Sequence, residues 1–129
     1  MSAKLGRIIL YVQDVERLSE FYRQAFAFPL VQHIPGEWAV LDAGGAELAL
    51  HLVGAAYRRP SGRSDGDSSS NAKIVFTIDQ PIGMTRDKLI AMGVDMGPIK
   101  YYPGLTGPLC DGRDPEGNVF QLAQPAQES

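Results

Sequence analysis

The sequence predicts an α+β fold: two βαβββ modules forming a cupped, eight-stranded mixed sheet with helices on its outer face. Three observations predict it. The run Ile8-Ile-Leu-Tyr-Val-Gln-Asp14 is nearly restated by Ile74-Val-Phe-Thr-Ile-Asp79 in the second half of the chain. Each run is apolar and strand-like, ends on a residue able to cap a helix, and precedes a segment of helix length. Each helix-length segment is followed by short strand-like runs broken by Gly and Pro. Internal repetition outranks any single residue as evidence of architecture. Two copies of one unit commonly build one site between them, so residues at equivalent positions become the first candidates for function.

The elements follow in order. The first strand spans 6–13. Asp14 suits an N-cap because its carboxylate accepts from the free amides of a first turn. Val15, Leu18, Tyr22 and Ala25 recur at helical spacing, with Phe21 and Phe26 widening the stripe and Arg17, Glu20, Arg23 and Gln24 on the wet side. Pro29 marks the exit. Strands follow at 30–34, 37–42 and 46–53, joined through Pro35-Gly36 and Gly44-Gly45. Residues 54–72 have no periodicity and little apolar content, so they cannot offset the entropy of ordering. Two readings of that stretch stand: a solvated linker between the modules, or a lid, because Tyr57, Arg58 and Arg59 leave the fourth strand where a ligand pocket would open.

The second module starts with a strand at 73–78. Asp79 or Gln80 caps a helix over 81–92, with Pro81 tolerated in its first turn. Its stripe is Ile82, Leu89, Ile90 and Met92, and Gly93 suits the left-handed C-terminal position. Strands follow at 94–101, 107–113 and 118–123, the last two joined by the tight turn Asp114-Pro-Glu-Gly-Asn118. The whole is one domain over 1–129, with module one at 5–53, a linker at 54–72 and module two at 73–124.

Composition bounds the function. The 129 residues are 44% apolar, enough for a packed interior, and carry a net charge of −3. With no basic block beyond Arg58-Arg59, nucleic acid is not an expected partner. No apolar run reaches membrane length and the N-terminus lacks an apolar signal core, so no membrane role is expected. A single cysteine, Cys110, rules out an internal disulfide framework. A soluble, cytoplasmic protein is expected.

Strand alternation selects the residues that line the cup. Ile8, Leu10 and Val12 oppose Arg7, Ile9 and Tyr11; Leu48, Leu50 and Leu52 oppose Glu47, Ala49, His51 and Val53. Ile74, Phe76 and Ile78 oppose Lys73, Val75 and Thr77; Phe120 and Leu122 oppose Val119, Gln121 and Ala123. The purely apolar face must pack under the helices, which leaves the mixed face to line the concavity.

The segment Ile9-Leu-Tyr-Val-Gln-Asp-Val-Glu-Arg-Leu-Ser-Glu-Phe-Tyr-Arg-Gln-Ala-Phe26, the turn Asp114-Pro-Glu-Gly-Asn118 and the run Val119-Phe-Gln-Leu122 resemble the vicinal oxygen chelate superfamily. That group includes glyoxalase I, extradiol dioxygenases, and the bleomycin and fosfomycin resistance proteins. The resemblance spans residues 5–124 and departs at Ala27, where the family usually ends its helix with Gly. It implies a cupped sheet and usually a homodimer. It also implies four metal-ligand positions on the mixed faces, which fall on Arg7, His51, Lys73 and Gln121. His51 and Gln121 suit that role; Arg7 and Lys73 depart from the His, Glu or Gln usual there. A guanidinium offers no lone pair, and an ammonium would first have to lose its proton. Glu47 shares a face with His51 but lies four residues, roughly 13 Å, along the strand, too far to share one metal. His33 is the only other histidine, and its face is not fixed by the sequence. No cofactor is therefore expected; a divalent metal, if present, would use His51 and Gln121.

Arg7 and Lys73 at equivalent positions bring two cations toward one concavity. Either an anionic ligand or an acidic neighbour such as Glu47 or Asp42 offsets them, or both snorkel to the rim and pair with surface carboxylates. Trp38 offers a stacking platform for a planar ligand, or belongs to the core or a dimer seam. Tyr11 shares the face of Arg7. Tyr101 and Tyr102 close over the cup or simply pack a turn, and Cys110 is a small buried residue.

Three functions follow. The first is a metal-free small-molecule binding protein of the sequestering or resistance type, with Arg7, Tyr11, Trp38, His51, Lys73 and Gln121 lining a pocket for an anionic or planar ligand. The second is a metal-dependent glyoxalase-type lyase or extradiol-type dioxygenase using His51 and Gln121. The third is a non-catalytic dimeric assembly protein.

Overall fold

The computed structural model describes residues 2–59, 72–104 and 107–125. The chain divides into two compact units, 1–64 and 65–129, each holding one copy of the repeat. The eight predicted strands form two mixed four-stranded sheets, one per unit.

Unit one runs β1 (Arg7–Val12), α1 (Val15–Phe26), β2 (Leu30–Ile34), β3 (Trp38–Asp42) and β4 (Glu47–Leu52). The sheet order is β1-β4-β3-β2, with β1 parallel to β4 and the other pairs antiparallel. Asp14 caps α1 as expected: its carboxylate accepts from the Arg17 amide at 3.1 Å. Val15, Leu18, Tyr22 and Ala25 form the buried stripe of α1. That helix packs on β3 and β4, whose Ala39, Leu41, Leu48 and Leu50 are buried. Each fully buried Leu or Val contributes about 1.5–3 kcal/mol, and the spacing of these residues therefore fixes which side of the sheet the helix covers.

Ala27, the departure from the family pattern, ends α1 in the left-handed region at φ 58. It is the only non-glycine residue with positive φ among the described residues. A Cβ there crowds the carbonyl. Ala27→Gly should therefore raise stability by about 0.5–1 kcal/mol, after allowance for the added freedom of the unfolded chain. The urea midpoint measures it, and an unchanged or lowered midpoint would contradict the strain.

Unit two runs β5 (Ile74–Thr77), α2 (Ile82–Ala91), β6 (Asp95–Met96), β7 (Leu109–Arg113) and β8 (Val119–Ala123), in the order β5-β8-β7-β6 with β5 parallel to β8. The connectivity is that of unit one. Ile82, Leu89, Cys110, Phe120 and Leu122 are its buried apolar residues.

Three expectations need correction here. The strand predicted over 94–101 shrinks to two residues, because Gly97-Pro98 interrupts the ladder; pairing resumes only as an isolated bridge between Lys100 and Leu109. Neither Asp79 nor Gln80 caps α2. The cap position is Pro81, and the Ile82 amide donates instead to the Gln124 side chain at 2.8 Å, a partner too distant in sequence for a local rule to find. Ile90 and Met92 are 44% and 41% exposed, so the buried stripe of α2 reduces to Ile82 and Leu89. Gly93 takes the expected positive φ.

The Asp114–Asn118 turn closes as predicted. Gly117 has φ 83, and Asp114, itself buried, accepts from the amides of Glu116 and Asn118 and from the Asn118 side chain. Of the stretch 54–72 read as linker or lid, residues 60–71 lie outside the described residues. The preceding segment is held: Gln13 donates to the Tyr57 carbonyl at 3.0 Å and accepts from the Arg59 amide at 2.7 Å.

Candidate functional site

With α1 on one side of the first sheet, the other side carries the mixed residues. The register sets Tyr11 opposite His51 and Trp38 opposite His51 across three adjacent strands, β1, β4 and β3. The rings meet accordingly. Tyr11 and His51 lie 5.2 Å apart between centroids, and Trp38 meets His51 edge-on at 5.6 Å and 79°. Tyr11 and His51 are exposed and Trp38 is half-buried, with its indole Nε1 donating to Gln32 at 3.1 Å.

Arg7 sits on the same face. Its Nε and Nη2 both donate to Glu47 Oε1, at 3.0 and 2.8 Å, and its guanidinium lies 5.5 Å from the Trp38 ring centroid. The acidic neighbour considered as one offset for Arg7 is thus Glu47, while Asp42 caps the Gly44 amide. His51 Nδ1 contacts the Leu52 carbonyl at 2.7 Å.

The second sheet holds the other two predicted residues. Lys73, just before β5, donates to Asp111 Oδ2 at 3.0 Å, and Gln121 on β8 donates to Asp111 Oδ1 at 3.0 Å. Burial pushes the Asp111 carboxyl up. The hydrogen bonds from Lys73 and Gln121 and the charges of Lys73 and Lys100 outweigh it and hold the carboxyl below the usual carboxylate range. A cavity of about 100 Å³ opens beside Asp111 and Gln121, with Lys100 and Tyr102 on its wall. Cys110 is buried as expected, and burial raises its thiol pKa.

The structure therefore brings Arg7, Tyr11, Trp38 and His51 together on the first sheet, and Lys73 and Gln121 together on the second. In each sheet the unexpected cation is committed to a carboxylate. Sequence reasoning weighed Glu47 but missed Asp111. The alternation that selects Gln121 on β8 selects Asp111 on β7, since the two are register partners. His33 is also placed. Its Nε2 meets Glu16 at 2.8 Å, and Glu16 also accepts from the Gly36 amide, an arrangement that lowers the Glu16 pKa.

A metal-binding centre needs about three side-chain donors converging on one point. Among the described residues no group of three or more His, Cys, Asp or Glu is so placed. Neither sheet's own donor set fits one: on the first, Arg7, on the same face as His51, supplies no lone pair, and on the second, Lys73 is a salt-bridged ammonium, which leaves the Gln121 amide oxygen as a single neutral donor.

Two βαβββ units with an exposed mixed face on a helix-backed sheet define a class. The chain belongs to the Glyoxalase/Bleomycin resistance protein/Dioxygenase superfamily, whose profile matches residues 4–122. Among its relatives is the uncharacterized protein YetH of Bacillus subtilis (strain 168), 25% identical over 96% of this chain and 100% of that one. The fold recurs in TnmS3, an antibiotic binding protein from Streptomyces sp. CB03234. That structure has a TM-score of 0.74 and 21% identity, over 97% of this chain and 98% of that one. It recurs in the fosfomycin resistance protein FosX from Listeria monocytogenes, solved in complex with Mn(II) and sulfate. There the TM-score is 0.75 and the identity 18%, over 99% and 94% of the two chains. A lactoylglutathione lyase from Agrobacterium tumefaciens shares it at a TM-score of 0.72 and 19% identity, over 95% and 94%.

Proposed function

We propose that the protein is a metal-free member of this superfamily that binds a small molecule, as a sequestering or resistance-type protein, on the Tyr11–His51–Trp38 face. The observation that carries this reading is the row of three rings, exposed at Tyr11 and His51 and half-buried at Trp38, with Arg7 held over Trp38 by Glu47. A guanidinium tied to a carboxylate occupies the position where a metal-dependent member needs a ligand, while aromatic stacking surface remains for a planar molecule. Antibiotic binding by TnmS3 supports the reading by analogy of fold. To it we add homodimeric assembly, as the family resemblance implies, and a cytoplasmic location, for which the single cysteine and the composition speak.

One observation favours the metal-dependent lyase or dioxygenase reading. The His51 ring is oriented through Nδ1 by a backbone carbonyl, as metal-bound imidazoles commonly are.

One experiment separates the two readings. Protein purified without a histidine tag is assayed for metal, then titrated with Mn²⁺, Fe²⁺, Co²⁺, Ni²⁺ and Zn²⁺. It is separately titrated with planar aromatic compounds while the fluorescence of Trp38, its single tryptophan, is followed. The expected result is saturable change in Trp38 emission with an aromatic ligand and no stoichiometric metal. Near-stoichiometric metal that His51→Ala abolishes would sink the metal-free reading.

A further inference from the structure

The geometry points to His51 as a hydrogen-bond acceptor that selects a planar aromatic ligand bearing an edge hydroxyl, such as a phenol or hydroxyquinone, rather than an anion. The inference rests on the reading of the first sheet as a small-molecule site and names the chemistry that site recognises.

Two steps lead to it. The first concerns the proton on His51. Nδ1 lies 2.7 Å from the Leu52 carbonyl oxygen, and a carbonyl can only accept. The hydrogen must therefore be on Nδ1, which in the neutral ring leaves Nε2 with a bare lone pair. Within the described residues that nitrogen has no hydrogen-bond partner, and its side chain is exposed. Tyr11 at 5.2 Å and Trp38 at 5.6 Å flank the ring, so a planar molecule lying against either lies beside the imidazole.

The second step concerns charge. A cation on each sheet would favour an anion there, but each is already paired with a carboxylate. Arg7 gives Nε and Nη2 to Glu47, and Lys73 gives its ammonium to Asp111. Glu47 accepts both bonds on Oε1, so its carboxylate stands beside the guanidinium on the same face. An anion would meet a guanidinium already paired with a carboxylate at one end of the face and an imidazole lone pair at the other. A hydroxyl donor finds an acceptor already oriented for it, in a ring held by a backbone bond, and loses little freedom in using it.

The test uses three probes of one shape: 2-naphthol, which carries the donor; 2-methoxynaphthalene, which lacks it; and 2-naphthoate, which is anionic. Binding is measured by equilibrium dialysis against the full chain. The expected order places 2-naphthol at least about tenfold tighter than the other two. His51→Phe, which keeps a ring and removes the acceptor at an exposed position, should erase that preference. Trp38→Leu should weaken naphthol and ether alike. Nitrogen-15 spectra of the imidazoles should show the His51 hydrogen on Nδ1; with only two histidines, His33→Gln assigns the signals. Equal binding of naphthol and ether, or a preference surviving in His51→Phe, would overturn the inference while leaving the small-molecule site standing. Tightest binding of naphthoate would overturn it in favour of an anion site, and so would a hydrogen found on Nε2 overturn the tautomer it rests on. If no probe bound, the inference and the underlying reading would fall together.

Discussion

Replacing Asp114 by alanine is expected to lower the free energy of unfolding by about 2–4 kcal/mol. The side chain is only 4% exposed, yet it organises the whole turn between β7 and β8. Its Oδ1 accepts from the amides of Glu116 at 2.9 Å and Asn118 at 3.0 Å, and both oxygens accept from Asn118 Nδ2. Alanine leaves two part-buried backbone donors and one side-chain donor without acceptors, and each such loss costs about 1–3 kcal/mol before the turn relaxes. Asparagine keeps one oxygen for the two amides but turns an N–H toward Asn118 Nδ2, so Asp114→Asn should cost less, about 1 kcal/mol. Chemical denaturation followed by far-ultraviolet circular dichroism gives both values. An alanine variant within 0.5 kcal/mol of the parent would show that the turn is held by its backbone alone, through the bonds between Asp114 and Asn118 and from Gly117 to Asp114.

That turn was legible in the sequence because all its determinants are local. Asp114, Pro115 and Gly117 each act within four residues, and so does the Asp14 cap of α1. The repeat was legible for a different reason. Period-2 alternation must be satisfied by burial of one face: β8 buries Phe120 and Leu122 between half-buried neighbours, β1 and β5 alternate half-buried or buried residues with exposed ones, and β4 buries Leu48 and Leu50 with the small Ala49 between them. What the sequence hid were contacts across the fold. The α2 cap comes from Gln124, 42 residues away, and the Lys73 partner is Asp111, 38 residues away. Pattern reading placed Arg7, Tyr11 and His51 on one face but could not give the ring distances or the role of Glu47, because those depend on register between strands. Register was recoverable only in part, from the turns that set it. The α2 stripe failed because Ile90 and Met92 are apolar without being buried, and an exposed apolar residue violates no rule.

Gly112→Ala should be almost as costly, about 2–3 kcal/mol, and the reason lies in close approach rather than in backbone conformation. A Cβ built on Gly112 would stand 2.5 Å from Phe120 Cζ, 2.9 Å from Phe120 Cε2 and 2.5 Å from Met96 Sδ. Met96 is an unbranched chain on a two-residue strand and can swing away. Phe120 cannot, because it is 1% exposed and lies on β8 directly opposite Gly112 in the register. The strain must then pass into the spacing of β7 and β8. Those strands carry Asp111 and Gln121, the register pair that holds Lys73, so the substitution should loosen that polar cluster as well as destabilise the unit. Trimming the ring tests the cause. In a double-mutant cycle, Phe120→Leu should recover more than 1 kcal/mol of the Gly112→Ala loss, since the two side chains compete for one volume. Additive effects of the two substitutions would mean that the ring is not the obstacle, and that the glycine serves the backbone of β7 instead.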